Sequence, residues 1–219
     1  MWGQTPWQTV GPFFHFALTW KGGADLQATS LSHKQLDEKP QAGARLDLLA
    51  PGHDHLRHHP SADAANQADV EQRPIAEGAV TINGLLLDGN GDAVPDAMLE
   101  FWHADQYGRF PADMSTYGRC ATDPNGGYEL RTFRPGPVTD AAGNVHAPHI
   151  WVGIYARGII KRLQTRIYFE DAPENQHDPV LSEIPEHRKQ TLVASQTDDQ
   201  QWCLDLVLQG EDETVFFQC

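Results

Sequence analysis

From about residue 76 to its end the chain runs in short stretches in which apolar and polar residues alternate, each stretch cut by a turn signal. No other feature limits the fold so strongly. Val80, Ile82 and Leu86 alternate with Thr81 and Asn83, and Tyr128, Leu130 and Thr132 with Glu129 and Arg131. Trp202, Leu204, Leu206 and Leu208 alternate with Cys203, Asp205 and Gln209. A period of two gives each strand one face to bury and one to show. Asp88-Gly89-Asn90-Gly91-Asp92 and Asp123-Pro124-Asn125-Gly126-Gly127 supply the Gly and Asn that tight turns require. The expected fold is mainly β, an antiparallel β-sandwich with one or two short helices. The clearest helical segment after residue 76 covers residues 181–189.

Two zones of different composition precede this one. Residues 1–20 form an arm bearing Trp2, Trp7, Phe13, Phe14, Phe16 and Trp20, too apolar to be left in water. Residues 21–75 are polar and irregular and include Gly52-His53-Asp54-His55-Leu56-Arg57-His58-His59-Pro60. Such a histidine-rich tract binds adventitious metal or is a solvated loop. The expected organisation is therefore an arm over 1–20 against a partner, a polar segment over 21–75 and a sandwich over 76–219.

Of 219 residues, 40% are hydrophobic, enough for a core. Sixteen Lys and Arg against 30 Asp and Glu leave a net charge of −14, which repels nucleic acid and anionic membranes. An anionic substrate would need a local cation working against that field. Cys120, Cys203 and Cys219 are odd in number and lack C-x-x-C spacing, so neither a disulfide framework nor a zinc knuckle is expected. With no signal-peptide pattern and no membrane-length apolar run, a soluble cytoplasmic protein is expected.

The run His149-Ile150-Trp151-Val152-Gly153-Ile154-Tyr155-Ala156-Arg157 has the composition of a central strand. Ile150, Val152, Ile154 and Ala156 then face the core. His149, Trp151, Gly153, Tyr155 and Arg157 form a row on the other face, either a site or interface, or a half-buried histidine with amphipathic neighbours. On one extended strand His146 and His149, three apart, would face opposite sides.

Val94-Pro95-Asp96, Glu100-Phe101-Trp102, Ala104 and Gly108-Arg109-Phe110 stand in the order V-P-D-x-x-x-E-x-W-x-A-x-x-x-G-R-Y. Gly118-Arg119, Thr122-Asp123, Gly126-Gly127-Tyr128, Arg131-Thr132, Pro135-Gly136 and Leu163-Gln164-Thr165-Arg166-Ile167-Tyr168-Phe169 follow. Over residues 76–170 the chain thus resembles the intradiol ring-cleaving dioxygenases. Its two ends, Gln8-Thr9-Val10-Gly11-Pro12-Phe13 and Leu208-Gln209-Gly210-Glu211-Asp212-Glu213-Thr214-Val215-Phe216-Phe217, resemble the alpha chains of the family's protocatechuate-cleaving branch. So do Pro148-His149-Ile150 and Ala156-Arg157-Gly158-Ile159. Residues 50–73 fit least and look like an insertion.

In the catalytic chains of that family two tyrosinates and two histidines hold a ferric ion: the tyrosine of G-R-Y, that of P-G-x-Y-P-W and the pair in P-A-H-I-H. Here the first position is Phe110, and Pro137, Val138 and Thr139 follow Pro135-Gly136 with no tyrosine. His149 keeps one histidine, and the other is Trp151, whose indole only donates. The resemblance therefore implies vestigial metal positions at Phe110, His149 and Trp151, no catalytic residue and no metal in this chain, and Fe(III) in a homologous beta chain. It also implies that Thr9, Gly11, Pro12 and Arg157 contribute to the pocket where that partner cleaves protocatechuate, within a large alpha–beta hetero-oligomer. The competing reading of Arg157 is an ordinary strand-end arginine in a surface or subunit ion pair. Two other functions stay open: a non-enzymatic β-sandwich binding module, and a stand-alone dioxygenase with relocated ligands, which iron–tyrosinate charge transfer would colour.

Overall fold

The computed structural model describes residues 18–19, 23–27, 78–112 and 114–217. Thr9, Gly11 and Pro12 lie outside the described residues, as do His53, His55, His58, His59 and the rest of residues 28–77. The described chain is mainly β. Its strands are β1 (Ala79–Leu87), β2 (Met98–His103), β3 (Tyr117–Ala121), β4 (Gly127–Phe133), β5 (Val138–Thr139), β6 (Val145–His146), β7 (His149–Tyr155) and β8 (Leu163–Phe169). A 3-10 turn at Pro173–His177 and two short helices, α1 (Pro179–Glu183) and α2 (Glu186–Lys189), lead to β9 (Val193–Asp198), β10 (Gln201–Cys203) and β11 (Leu206–Val207).

The sheet runs β4-β1-β10-β9-β8-β7-β2-β3, with β11 continuing the edge of β1 that β10 begins. Most pairings are antiparallel, as the hairpin turns require. The pairings of β1 with β10 and β11, and of β8 with β9, are parallel. The two turns read from the sequence are present. The Asp88 carboxylate accepts from the N–H groups of Asn90 and Asp92, and that of Asp123 from those of Asn125 and Gly127.

The nine-stranded sheet curls around the main core, and a smaller cluster of Ala147, Tyr168, Leu181 and Leu192 lies apart from it. Leu99 and Phe101 from β2, Ile150, Val152 and Ile154 from β7, Ile167 and Phe169 from β8, and Ile82, Leu130 and Trp202 from the opposite wall fill the main core. Each belongs to the apolar half of its strand's alternation. Its two ends, β3 and β4, are joined through residues 23–27. The backbone N–H of Arg119 in β3 donates to the Gly23 carbonyl (2.9 Å), and that of Arg131 in β4 to the Ala24 carbonyl (2.8 Å). Leu26 of the same segment is buried in the core.

The expected helix over residues 181–189 is two helices. Pro185 has no N–H to continue the first, and Ile184 before it is extended (ψ 133°), as a residue preceding proline prefers. No helix among the described residues is long and apolar enough to cross a membrane.

Candidate functional site

The site lies on the outer face of β2, β3, β7 and β8. In β7, Ile150, Val152, Ile154 and the following Ala156 face the core, so His149, Trp151, Gly153 and Tyr155 face outward, as the alternation predicts. Register extends the row sideways. Trp102 of β2 stands opposite Tyr117 of β3 and Trp151 of β7, and Trp151 opposite Arg166 of β8. One step along β7, His149 stands opposite Tyr168.

Phe110, His149 and Trp151, the three positions expected to be vestigial, are all at this face. Phe110 packs against Trp102, ring centroids 4.7 Å apart, both rings partly exposed. Trp151 has the Arg166 guanidinium 4.1 Å above its ring, and the Phe217 ring closes in from the C-terminal segment at 6.1 Å. His149 is buried, and its Nδ1 lies 2.7 Å from the Ala147 carbonyl, which places the ring proton there. Burial, helped by the nearby Arg166 charge, pushes the His149 imidazole down to about 4. It is neutral at physiological pH.

His146 comes closer than the sequence suggests, its ring centroid 6.2 Å from that of His149. The expectation of opposite sides fails because the chain bends at Ala147 and Pro148, so β6 ends before β7 begins. Tyr168 and Asp178 complete the neighbourhood, already engaged with each other. Arg166 donates to the Tyr168 hydroxyl (3.1 Å), which donates to Asp178 (3.3 Å). Asp178 also accepts from the N–H groups of Val180 and Leu181, capping α1, and from that of Ala147. Burial raises the Tyr168 phenol well above the usual range, so it is no ready tyrosinate.

A ferric ion does not fit this donor set. Phe110 offers no oxygen, Trp151 no lone pair, and the Arg166 cation covers the face where the second imidazole would stand. Among the described residues no three His, Cys, Asp or Glu side chains gather so as to hold a metal.

Arg157 follows the end of β7, its side chain more than half exposed and 3.8 Å from the Asp96 carboxylate. Two groupings on this face were not read from the sequence. One is the Arg166–Trp151–Phe217 stack. The other surrounds Glu100, a buried carboxylate of β2 that accepts from the Tyr117 hydroxyl (2.7 Å) and from Arg119 Nε and Nη2 (2.9 and 2.6 Å), with Arg162 Nη2 at 3.2 Å. Burial works to raise the Glu100 carboxyl; the Tyr117 and Arg119 hydrogen bonds and the Arg162 charge outweigh it and hold it below the usual range. Burial and that carboxylate push the Tyr117 phenol up to about 12.

A family profile described as Dioxygenase matches residues 50–210. The chain belongs to the intradiol dioxygenase family. It is 35% identical over 232 residues to the protocatechuate 3,4-dioxygenase alpha chain of Burkholderia cepacia, covering 98% of this chain and 96% of that protein. The alpha chain of the same name from Pseudomonas putida is 39% identical over 158 residues, 66% of this chain and 79% of that protein. The B. cepacia beta chain is also a relative, 28% identical over 172 residues, 69% of this chain and 73% of that one. Among solved structures, the fold matches the dioxygenase domain of a carbohydrate-binding fusion protein from Streptomyces sp. SirexAA-E, with TM-score 0.51 and 24% identity over 60% of this chain and 80% of that chain.

Proposed function

We propose that this chain is the iron-free alpha subunit of a protocatechuate 3,4-dioxygenase. In this reading it pairs with an iron-bearing beta chain and helps wall the pocket in which that partner cleaves protocatechuate with dioxygen to 3-carboxy-cis,cis-muconate. The observation that carries the reading is the vestigial site: a family member similar to alpha chains along its whole length has a phenylalanine, a covered tryptophan and a neutral, buried histidine at three ligand positions. Fe(III) supplies substrate activation in the partner, and no step passes through this chain's own corner. A stand-alone enzyme with relocated ligands is disfavoured by the pairing of Tyr168 and Asp178 with each other. Free Cys120 and Cys203 suit the reducing cytoplasm.

The test is metal analysis and ring-cleavage assay of the chain expressed alone and together with its beta chain. Alone it is expected to be colourless, iron-free and inactive; one tightly held iron per chain with activity would sink the reading.

In the same reading Arg157 faces the substrate carboxylate. Its long ion pair with Asp96 is exposed and costs little to break, which leaves the fork available to a carboxylate in a desolvated pocket. In the assembled enzyme, Arg157→Ala is expected to cost roughly 1.5 to 3 kcal/mol in kcat/KM for protocatechuate, and much less for catechol, which lacks the carboxylate. Equal losses would mean that Arg157 supports the interface only.

A further inference from the structure

The corner that a ferric ion does not fit is closed by more than missing donors. Arg166, the register partner of Trp151, is only 8% exposed, and its guanidinium lies 4.1 Å from the centre of the Trp151 ring and 5.8 Å from that of Phe217. Nη1 donates to the Tyr168 hydroxyl, while the buried Nε meets no acceptor among the described residues. So poorly satisfied a cation is a costly way to fill space, since methionine or leucine would fill it without desolvating a charge. The charge itself is what sets this residue apart. Its counterpart is at hand. Tyr168 passes the hydrogen bond on to Asp178, a fully buried carboxylate that also accepts from the N–H groups of Ala147, Val180 and Leu181. Guanidinium and carboxylate thus balance each other through a single hydroxyl inside one buried corner. The field of Arg166 also reaches the one histidine kept from the family's ligand set: after burial, it is the next cause that lowers the His149 imidazole to about 4.

We infer that Arg166 stands in for the absent metal: its fixed charge balances Asp178 and bars any metal cation from this corner, even where the lost donors are put back. An imidazole at position 151 would lie under the same guanidinium, because register and not the side chain at 151 brings Arg166 there. A metal ion gathered by that imidazole and His149 would then sit close to a positive charge, in surroundings where salt screens the repulsion little. This refusal belongs to the chain's own corner and holds whether or not a partner chain carries iron.

The test returns donors to the full-length chain. Phe110→Tyr together with Trp151→His sets two of the family's donors beside His149, and Co(II), whose visible spectrum reports its ligands, is the probe. With Arg166 retained, this double variant is expected to bind Co(II) no better than wild type. Adding Arg166→Gln, which keeps a donor for Tyr168 and removes the charge, is expected to tighten binding roughly a hundredfold or more. Adding Arg166→Lys instead keeps the charge without the planar fork and is expected to preserve the refusal. Equal affinity with and without Arg166→Gln would overturn the inference. So would no binding in either, which would place the barrier in the missing second tyrosinate. A second measurement needs no rebuilt site. In the otherwise unchanged chain, Arg166→Gln and Asp178→Asn are each expected to raise the unfolding equilibrium constant in urea at least tenfold, or roughly the cost of one unbalanced buried charge. Together they are expected to raise it little beyond Asp178→Asn alone, since the pair removes both charges. Effects that multiply in full would mean that the two charges do not balance each other, and would overturn the stand-in.

Discussion

His103 and His149 are neutral for the same reason, and that makes the fold sensitive to acid. Burial pushes both imidazoles down to about 4. His103 is almost wholly buried between the Thr132 hydroxyl (2.6 Å) and the Ala104 carbonyl (2.7 Å). In the unfolded chain both would titrate near 6.5. A histidine whose folded value is lowered contributes stability above the unfolded value, and that stability is lost as pH falls toward the folded one. Between pH 7 and pH 5 each is expected to cost about 2 kcal/mol, read as the drop in unfolding free energy in urea. His103→Gln is expected to remove about that much of the pH dependence; an unchanged slope would mean that His103 is not the group responsible. At this scale the sequence alone shows that Phe110 and Trp151 cannot serve as metal donors. The partners these side chains find were not legible. Arg166 meets Trp151, and Arg119 meets Glu100, only through cross-strand register, which is a property of the sheet and not of any one stretch.

Among the elements, the join made by residues 23–27 depends on a missing side chain. A Cβ on Gly118 of β3 would meet the Gly23 carbonyl oxygen at 2.2 Å and Leu26 Cδ2 at 2.7 Å, so only glycine lets the segment lie against the strand. Gly118→Ala is expected to destabilise the protein by about 1 to 3 kcal/mol, as overpacking does. Hydrogen exchange localises the effect: the amides of Arg119 and Arg131, which the segment covers, are expected to lose protection before those of β7. Uniform loss would mean general unfolding instead. The strands themselves were legible because alternation and turn chemistry are local. Parallel partners for β1 and β8 were not, because strand alternation is blind to the neighbour's direction. The break at Pro185 was local and could have been read from its missing N–H.

For the molecule as a whole, the described part is a curled nine-stranded sheet with the main core inside and a two-stranded β5–β6 ribbon beside it, and against the chain's net charge of −14 cations gather around Glu100 and at the β7–β8 turn. Arg157, Lys161 and Arg162 fall within six residues there. Net charge alone called for a local cation only if the substrate is anionic; the meeting of Arg162 and Arg119 at Glu100 was not legible, since it takes β2, β3 and the β7–β8 turn to assemble. The join at residues 23–27 has one more consequence, in the order of synthesis. Gly23 and Ala24 leave the ribosome about a hundred residues before the amides of Arg119 and Arg131 that receive them. Segment 23–27 is thus made well before the strands it joins. Throughout that interval the Leu26 side chain and the Gly23 and Ala24 carbonyls lack their native partners, so slower elongation across β1 to β4 would lengthen the time they spend in water.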